Sequence, residues 1–154
     1  MNEPLLIRRS ARLMLLDSQG RLMLFRYDNG HAAPFWATAG GELQGEEDYR
    51  AAAVRELEEE TGFAATIGPL LRERDDIFAV ADQPPAHWFE QYYLVRCENA
   101  ETPDRTGWTD EERVTIRNWH WWSLEEMRAA PPDTFRPDWL PELLQELIEG
   151  NSHA

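Results

Sequence analysis

The sequence contains no lysine, and all fifteen of its basic residues are arginine. This absence excludes a lysine Schiff base and a Walker-type phosphate loop, because both chemistries need a lysine side chain. The twenty-nine acidic residues leave a net charge of −14 at pH 7. A chain so poor in positive charge is unsuited to non-specific binding of a nucleic-acid backbone or an anionic membrane. We therefore expect neither a membrane nor a long nucleic acid as partner.

Cysteine and long apolar segments are also scarce. The single cysteine, Cys97, cannot form an internal disulfide, which suits a reducing compartment. It lies in the apolar run YYLVRC, and we expect it to be a buried core thiol. The first residues lack the apolar run of a signal peptide, and no segment approaches the roughly 20 apolar residues of a membrane span. These features predict a cytoplasmic protein.

The length and the apolar content predict one folded domain over residues 1–154, since 42% of the residues are hydrophobic. Apolar runs predict strands at 11–17, 21–27, 35–39, 65–80, 87–97 and 115–122, the third ending at a glycine pair. Helical spacing predicts helices at 46–61, 124–130 and 138–149, and residues 98–113 are expected to form a loop. Mixed strands between helices favour an α/β/α or α+β layered fold.

The central predicted helix carries Glu56, Glu58, Glu59 and Glu60 within five positions. Two such charges about 6 Å apart repel by roughly 3 kcal/mol at an effective dielectric constant of about 20. Residues four apart share a helix face, so Glu56 and Glu60 lie together with Glu59 at the edge of that face. Converging carboxylates suit Mg²⁺ or Mn²⁺ better than zinc. The alternative is a solvated acidic helix.

The segment before this helix supports the metal interpretation. Gly40 and Gly41 allow the backbone to approach an ion, so a carbonyl there is a further candidate ligand. We expect Arg55 to pair with Glu47, eight residues earlier, and so to hold the loop against the helix. A metal ion at this site could bridge a diphosphate, and a carboxylate or the ion could activate water.

Residues 41–63 resemble the Nudix box, G-x5-E-x7-R-E-U-x-E-E-x-G-U with U aliphatic or aromatic, at every fixed position. The matching residues are Gly41, Glu47, Arg55, Glu56, Leu57, Glu59, Glu60, Gly62 and Phe63. The resemblance implies a single Nudix-type α/β/α sandwich domain with a mixed β-sheet. It also implies a Mg²⁺-dependent hydrolase, with Mn²⁺ as an alternative ion, that cleaves a nucleoside diphosphate linked to another group.

The same resemblance implies roles for individual residues. Glu56, Glu60 and the Gly41 carbonyl would bind the metal, and Glu59 would be a further ligand or would position water. Glu59 and Glu60 are therefore candidate catalytic residues, while Glu47 and Arg55 would support the loop. One departure lies just before the box, where many members have proline before the glycine pair and this chain has Ala39.

Members of the family often use one more acidic residue, from a later strand or loop, as ligand or general base. Glu90, Glu111 and Glu112 are the candidates here, and we favour Glu112 as the further catalytic residue. For each of them, an ordinary surface charge is the competing interpretation.

Arginine recognises phosphate in a bidentate manner, so Arg8, Arg9 and Arg26 are candidates for substrate phosphates, and we favour Arg26. His31 and Trp36 precede the box, near the substrate entrance in the family, and we favour Trp36 for substrate binding. The aromatic run at 119–122 is expected to pack in the core. Strand alternation places Trp119 and Trp121 on one face of the sheet and Trp122 with His120 on the other.

The short single-domain form favours a MutT-like nucleoside triphosphate pyrophosphohydrolase within the family. One alternative is an ADP-ribose or nucleotide-sugar pyrophosphatase. A second, from another class, is a catalytically silent nucleotide-binding module, although such proteins usually lack one or more box glutamates. The partner is in each case a small nucleotide diphosphate derivative, and a homodimer is compatible with the resemblance.

Overall fold

The computed structural model describes residues 5–28, 30, 33–79, 83–99 and 101–151. Its elements in chain order are β1 (Leu6–Leu16), β2 (Leu22–Tyr27), β3 (Phe35–Ala37), β4 (Ala39–Glu42), α1 (Tyr49–Thr61), β5 (Ile67–Phe78), β6 (Ala86–Arg96), α2 (Asp110–Thr115), β7 (Ile116–Trp122), α3 (Leu124–Ala129) and α4 (Leu140–Asn151). The chain divides into two compact units. Unit 1 contains residues 1–14, 39–95 and 103–107, and unit 2 contains residues 15–38, 96–102 and 108–154. The single-domain organisation stays a prediction.

Unit 1 combines α1 with strands β4, β5 and β6 and most of β1. Strand β4 pairs antiparallel with β1, which sets Ser10 opposite Glu42 and Leu13 opposite Ala39. Strand β5 pairs antiparallel with β6, with Arg74 opposite Glu90, and β6 lies next to β1. Strand β4 thus lies beside β1 in the unit that also contains the acidic helix.

Helix α1 begins and ends at residues suited to those positions. The Asp48 side chain accepts a hydrogen bond from the Ala51 amide, so the helix begins at Tyr49, three residues later than predicted. Gly62 ends it with a left-handed φ of 70°.

The spacing of Tyr49, Ala53 and Leu57, with Val54 beside them, predicts an apolar stripe, and of these Ala53 and Leu57 are buried, together with Ala52. Val54 is 54% exposed. Successive residues are rotated by about 100° around the helix axis, so Val54 points away from the face on which its neighbour Ala53 is buried.

The prediction of one short strand that ends at the glycine pair was wrong. Thr38 separates β3 from β4, and both glycines lie inside β4. Gly40 has a φ of 141°, and a Cβ placed on it would lie 2.2 Å from the carbonyl oxygen of Ala11. Only glycine lets β4 approach β1 this closely, and periodicity along the sequence gives no sign of that contact.

Unit 2 contains β2 between β3 and β7, both antiparallel to it. The register sets Trp121 opposite Met23 and Trp119 opposite Phe25, whereas His120 and Trp122 lie opposite Leu24 and Leu22. Residues directly opposite each other share a face, so the predicted division of the aromatic run is confirmed. Trp122 packs edge-on against Trp36 and Phe135, with ring centroids 5.2 and 5.0 Å away.

Residues 110–115 form α2, although 110–113 belong to the predicted loop and residue 115 to the predicted strand 115–122. Thr109 and Glu112 make a reciprocal capping box at its start, and the T-x-x-E spacing that marks such a box is present in the sequence. The S-x-x-E spacing of Ser123 and Glu126 predicts a second such box, and the two residues form it at the start of α3. Among the described residues, no helix combines the length and the apolar character that crossing a membrane requires.

Cys97 is buried in unit 2, as predicted, and its amide donates a 2.8 Å hydrogen bond to the Leu16 carbonyl. Burial, with the nearby charges of Glu101 and Asp17, raises the pKa of its thiol to about 11. At pH 8 the thiol is therefore almost entirely protonated, and the thiolate is the reactive form.

We expect the native thiol to react with a disulfide reagent at pH 8 about 100-fold more slowly than the same thiol in denaturant. The release of the coloured thiolate from the reagent measures both rates. Equal rates in the native and denatured protein would show that Cys97 is neither buried nor shifted in pKa.

Candidate metal centre

Helix α1 directs two buried carboxylates to one place. Glu56 is 7% exposed and Glu60 is 2% exposed. Each brings a carboxylate oxygen within 4.8 Å of an oxygen of the other. The spacing of four residues puts them on one face of the helix, and the buried Leu57 anchors the helix beside them. Two nearby carboxylates taken out of water are costly unless cationic or hydrogen-bonding groups compensate them.

The backbone of β4 lies directly against these carboxylates. The Gly40 amide donates a 3.0 Å hydrogen bond to Oε2 of Glu60. A Cβ placed on Gly41 would lie only 2.3 Å from Oε1 of Glu56. A side chain at position 41 would therefore occupy the space that the Glu56 carboxylate now fills, so glycine is required for the close approach.

Arg55 joins the loop to the helix. Its guanidinium donates to both carboxylate oxygens of Glu47, at 2.8 and 3.0 Å, which is the pairing expected from the sequence. It also donates to Oε1 of Glu56 at 2.7 Å, to Oε2 of Glu59 at 3.0 Å and to the Glu42 carbonyl at 3.0 Å. One rigid, planar cation thus holds groups from the loop, β4 and the helix together.

These contacts shift the pKa values of both partners. The hydrogen bond to Glu47, with the added contact to Glu56, raises the pKa of the Arg55 guanidinium. The hydrogen bond from Arg55, with a second from the Gln44 amide, lowers the pKa of the Glu47 carboxyl. Both directions keep the pair charged at neutral pH, as a brace across the loop requires.

The end of α1 is held by a contact that no sequence pattern indicated. The Asp104 amide donates a 2.8 Å hydrogen bond to the Thr61 carbonyl. A Cβ placed on Gly107 would lie 2.5 Å from the carbonyl oxygen of Glu59. Residues 103–107 therefore pass directly over the last turn of the helix that carries the glutamates.

The donor set in unit 1 suits a divalent cation. Glu56 and Glu60 offer buried carboxylate oxygens, and the glycine strand beside them leaves no side chain in the way. Oxygen ligands of this kind are preferred by Mg²⁺ and Mn²⁺. The residues present therefore fit the metal ion that the resemblance implies. The ligand roles of Gly41, Glu56, Glu59 and Glu60 stay predictions.

Arg26 and Trp36 lie in unit 2, on β2 and β3. They are directly opposite each other in the antiparallel ladder, so their side chains share one face of the sheet. The Trp36 amide donates to the Thr134 carbonyl at 2.8 Å, and its carbonyl accepts from the Arg136 amide at 3.0 Å. Their roles in substrate binding stay predictions, and His31 is outside the described residues.

The later acidic candidates have different surroundings. Glu112 is the capping residue of α2, and its Oε1 accepts a 2.9 Å hydrogen bond from the Thr109 amide. Glu90 is buried in unit 1, where it accepts from Ser10 at 2.7 Å, Arg74 at 3.1 Å and Tyr92 at 3.3 Å. Both Glu90 oxygens thus have donors, which suits a structural carboxylate. The Glu111 side chain is outside the description, and the catalytic role of Glu112 stays a prediction.

The glycine strand and the braced glutamates of α1 define the class of site found in metal-assisted hydrolases. The family model described as NUDIX domain matches residues 6–143, and the chain belongs to that family. Its fold is the mixed β-sheet with flanking helices of the Nudix α/β/α sandwich. The protein is a hydrolase that acts on phosphorus-containing acid anhydrides of nucleoside diphosphate derivatives.

Solved structures share this fold at low sequence identity. A MutT protein from Methanosarcina mazei Go1 is 16% identical, with 98% of each chain covered and a TM-score of 0.68. A C. elegans Ap4A hydrolase is 17% identical, with 96% of this chain and 99% of the other covered and a TM-score of 0.68. The E. coli dihydroneopterin triphosphate pyrophosphohydrolase is 11% identical, with 92% and 95% covered and a TM-score of 0.67. No curated protein matches the sequence.

Gly41→Ala tests the close approach of β4 to α1. We expect the variant to bind Mn²⁺ about tenfold more weakly, because the new methyl group displaces the Glu56 carboxylate. Calorimetric titration of the nucleotide-free protein measures the affinity. Gly150→Ala is the control, since a Cβ there meets nothing within 4 Å and the residue lies in helix α4, where alanine is accepted. If folded Gly41→Ala binds Mn²⁺ with the affinity of the parent, the contact between Gly41 and Glu56 plays no part in metal binding.

Proposed function

We propose that this Nudix hydrolase is a Mg²⁺-dependent nucleoside triphosphate pyrophosphohydrolase that also accepts Mn²⁺. The observation that carries the metal dependence is the pair of buried carboxylates, Glu56 and Glu60, against the glycine strand. The triphosphate preference is supported by the likeness to the dihydroneopterin triphosphate pyrophosphohydrolase. The products would be a nucleoside monophosphate and inorganic diphosphate.

The residues of unit 1 would have different roles at the metal ion. Glu56, Glu60 and the Gly41 carbonyl would hold it. When bound, it would neutralise charge on the phosphate oxygens and lower the pKa of water. Glu59 has a side chain that is 43% exposed, so its carboxylate can reach water while Arg55 keeps one oxygen in place. Arg55 would hold the loop and the helix in register during the reaction.

Three residues outside the Nudix box are proposed for substrate binding and for the general base. Arg26 would bind a phosphate through its guanidinium, and the Trp36 ring would contact the nucleoside. Their shared face on neighbouring strands supports a joint role. Glu112 would act as the further general base. In that role its carboxylate would give up the hydrogen bond that it accepts from the Thr109 amide.

Two alternatives compete with this proposal. The likeness to an Ap4A hydrolase is a reason to test dinucleoside polyphosphates together with ADP-ribose and nucleotide sugars. Turnover of one of these would make the protein a pyrophosphatase of another branch of the Nudix family. A silent nucleotide-binding module is disfavoured, because the chain keeps every glutamate of the Nudix box. We place the protein in the cytoplasm and retain the homodimer as a prediction that light scattering tests.

A phosphate-release screen with Mg²⁺ or Mn²⁺ decides among these functions. The panel contains nucleoside triphosphates, dinucleoside polyphosphates, ADP-ribose and nucleotide sugars, with coupled pyrophosphatase or phosphatase to reveal the products. Release of diphosphate from triphosphates supports the proposal. Turnover only of ADP-ribose or a sugar derivative would overturn the substrate preference, and binding without turnover would favour the silent module.

Glu60→Gln is expected to lower kcat about 100-fold or more, because it removes a charged ligand from the ion. The amide is nearly isosteric with the carboxyl group, so circular dichroism should show an intact fold. Glu58→Gln is the matched control, since Glu58 is exposed on the same helix. Equal kcat values for Glu60→Gln and the parent would show that Glu60 is not a ligand of the metal ion.

A further inference from the structure

Two arginines hold the residue that follows Gly41. The Glu42 carboxylate accepts a bidentate pair of hydrogen bonds from Arg8, from Nε to Oε1 at 2.8 Å and from Nη2 to Oε2 at 2.6 Å. The Glu42 carbonyl accepts from Arg55 at 3.0 Å. Arg55 belongs to the Nudix box, whereas Arg8 lies 34 residues before its partner, on β1.

The Arg8 side chain is itself held in place. Its guanidinium carbon lies 4.5 Å from the centre of the Trp88 ring, over which it stacks, and Nη1 donates to Gln83. Trp88 in turn stacks nearly parallel on Phe78, with ring centroids 5.4 Å apart. The Arg8 side chain is only 18% exposed. Isolated exposed ion pairs contribute little, but a stacked, bidentate and partly buried pair is pre-organised.

The pairing of β1 with β4 explains why Arg8 reaches Glu42. Ser10 is directly opposite Glu42, so Arg8 is the diagonal neighbour on the same face of the sheet. Glu42 is the last residue of β4. The next residue still pairs with β1, since the Leu43 amide donates a 2.9 Å hydrogen bond to the Arg9 carbonyl. The side-chain ion pair of Glu42 with Arg8 therefore adds a second contact to the backbone hydrogen bonds at this end of β4.

Position 39 shows why this chain benefits from such a contact. Many members of the family have proline before the glycine pair, which limits the freedom of the backbone there, and this chain has alanine. Two consecutive glycines follow, and they are the most flexible residues available. Without a stiff residue, the position of the Gly41 carbonyl depends on contacts from outside the segment.

We propose that Arg8 is a positioning residue for the metal centre, which it serves by clamping Glu42 so that the Gly41 carbonyl stays beside Glu56 and Glu60. The proposal rests on the proposed function, since it takes these groups as ligands. Arg8 acts through Glu42 and does not touch the substrate. This differs from the phosphate contact considered for Arg8 from the sequence.

The experiment is a double-mutant cycle with Arg8→Gln, Glu42→Gln and the double variant. Calorimetry measures Mn²⁺ binding without nucleotide, and steady-state kinetics measures kcat and KM at saturating metal. We expect each single variant to bind Mn²⁺ about tenfold more weakly, as when other groups that orient metal ligands are removed. The double variant should be no weaker than either single one, because both substitutions break the same clamp.

Two further variants complete the set. Arg8→Lys keeps the charge but lacks the planar fork, so it should restore only part of the affinity. Arg21→Gln removes a different arginine–carboxylate pair, that with Asp17 in the turn between β1 and β2. It should bind Mn²⁺ as the parent does, which controls for the general loss of an ion pair.

Three results would overturn the clamp. Parent-like Mn²⁺ affinity in Arg8→Gln with a lowered melting temperature would show a purely structural pair. If replacing Arg8 raises KM even in a protein that already carries Glu42→Gln, Arg8 contacts the substrate directly. Additive losses of Mn²⁺ affinity would show that the two residues act separately. Non-additive losses in a protein that hydrolyses nothing in the screen would support the clamp and reject the proposed function.

Discussion

The bonding of the Arg55 guanidinium is the interaction on which the rest of the site depends. Four acidic side chains within five positions of a helix repel one another, and two of them, Glu56 and Glu60, are buried as well. Arg55 offsets part of this cost by donating to Glu56 and Glu59, and it binds Glu47 in the preceding loop with two parallel hydrogen bonds. Because its single charge does not balance them all, the divalent cation that we propose for this site would compensate the remaining negative charge.

Close approach of the backbone is the second constraint. Gly40 and Gly41 bring β4 against both β1 and α1, at distances that a Cβ would not permit. The same glycines make the segment flexible, so rigidity must come from its partners. Those partners are the ladder with β1, the Arg55 hydrogen bond to the Glu42 carbonyl and the pair of Glu42 with Arg8. The contacts that hold β4 in place therefore also position the proposed metal ligand Gly41.

Sequence reasoning succeeded where the controlling interactions are local. The end of α1 at Gly62, the capping box of α3 and the division of the aromatic run follow from patterns a few residues long. It failed where a short pattern was passed over or where a distant contact decided the structure. The capping box of α2, with Thr109 and Glu112, was readable but not used. The extension of β4 through the glycine pair depends on pairing with β1, about 30 residues away in the chain.

The sequence by itself determined the family, the composition of the acidic site and the helix face on which Glu56 and Glu60 meet. Helical periodicity is a local property, so spacing alone is enough to bring those side chains together. Only the tertiary structure decided which groups surround them: the glycine strand, the segment that passes over Glu59 and the partner of Arg8. These contacts join residues far apart in the chain, so they depend on strand register and backbone proximity, which no local pattern specifies.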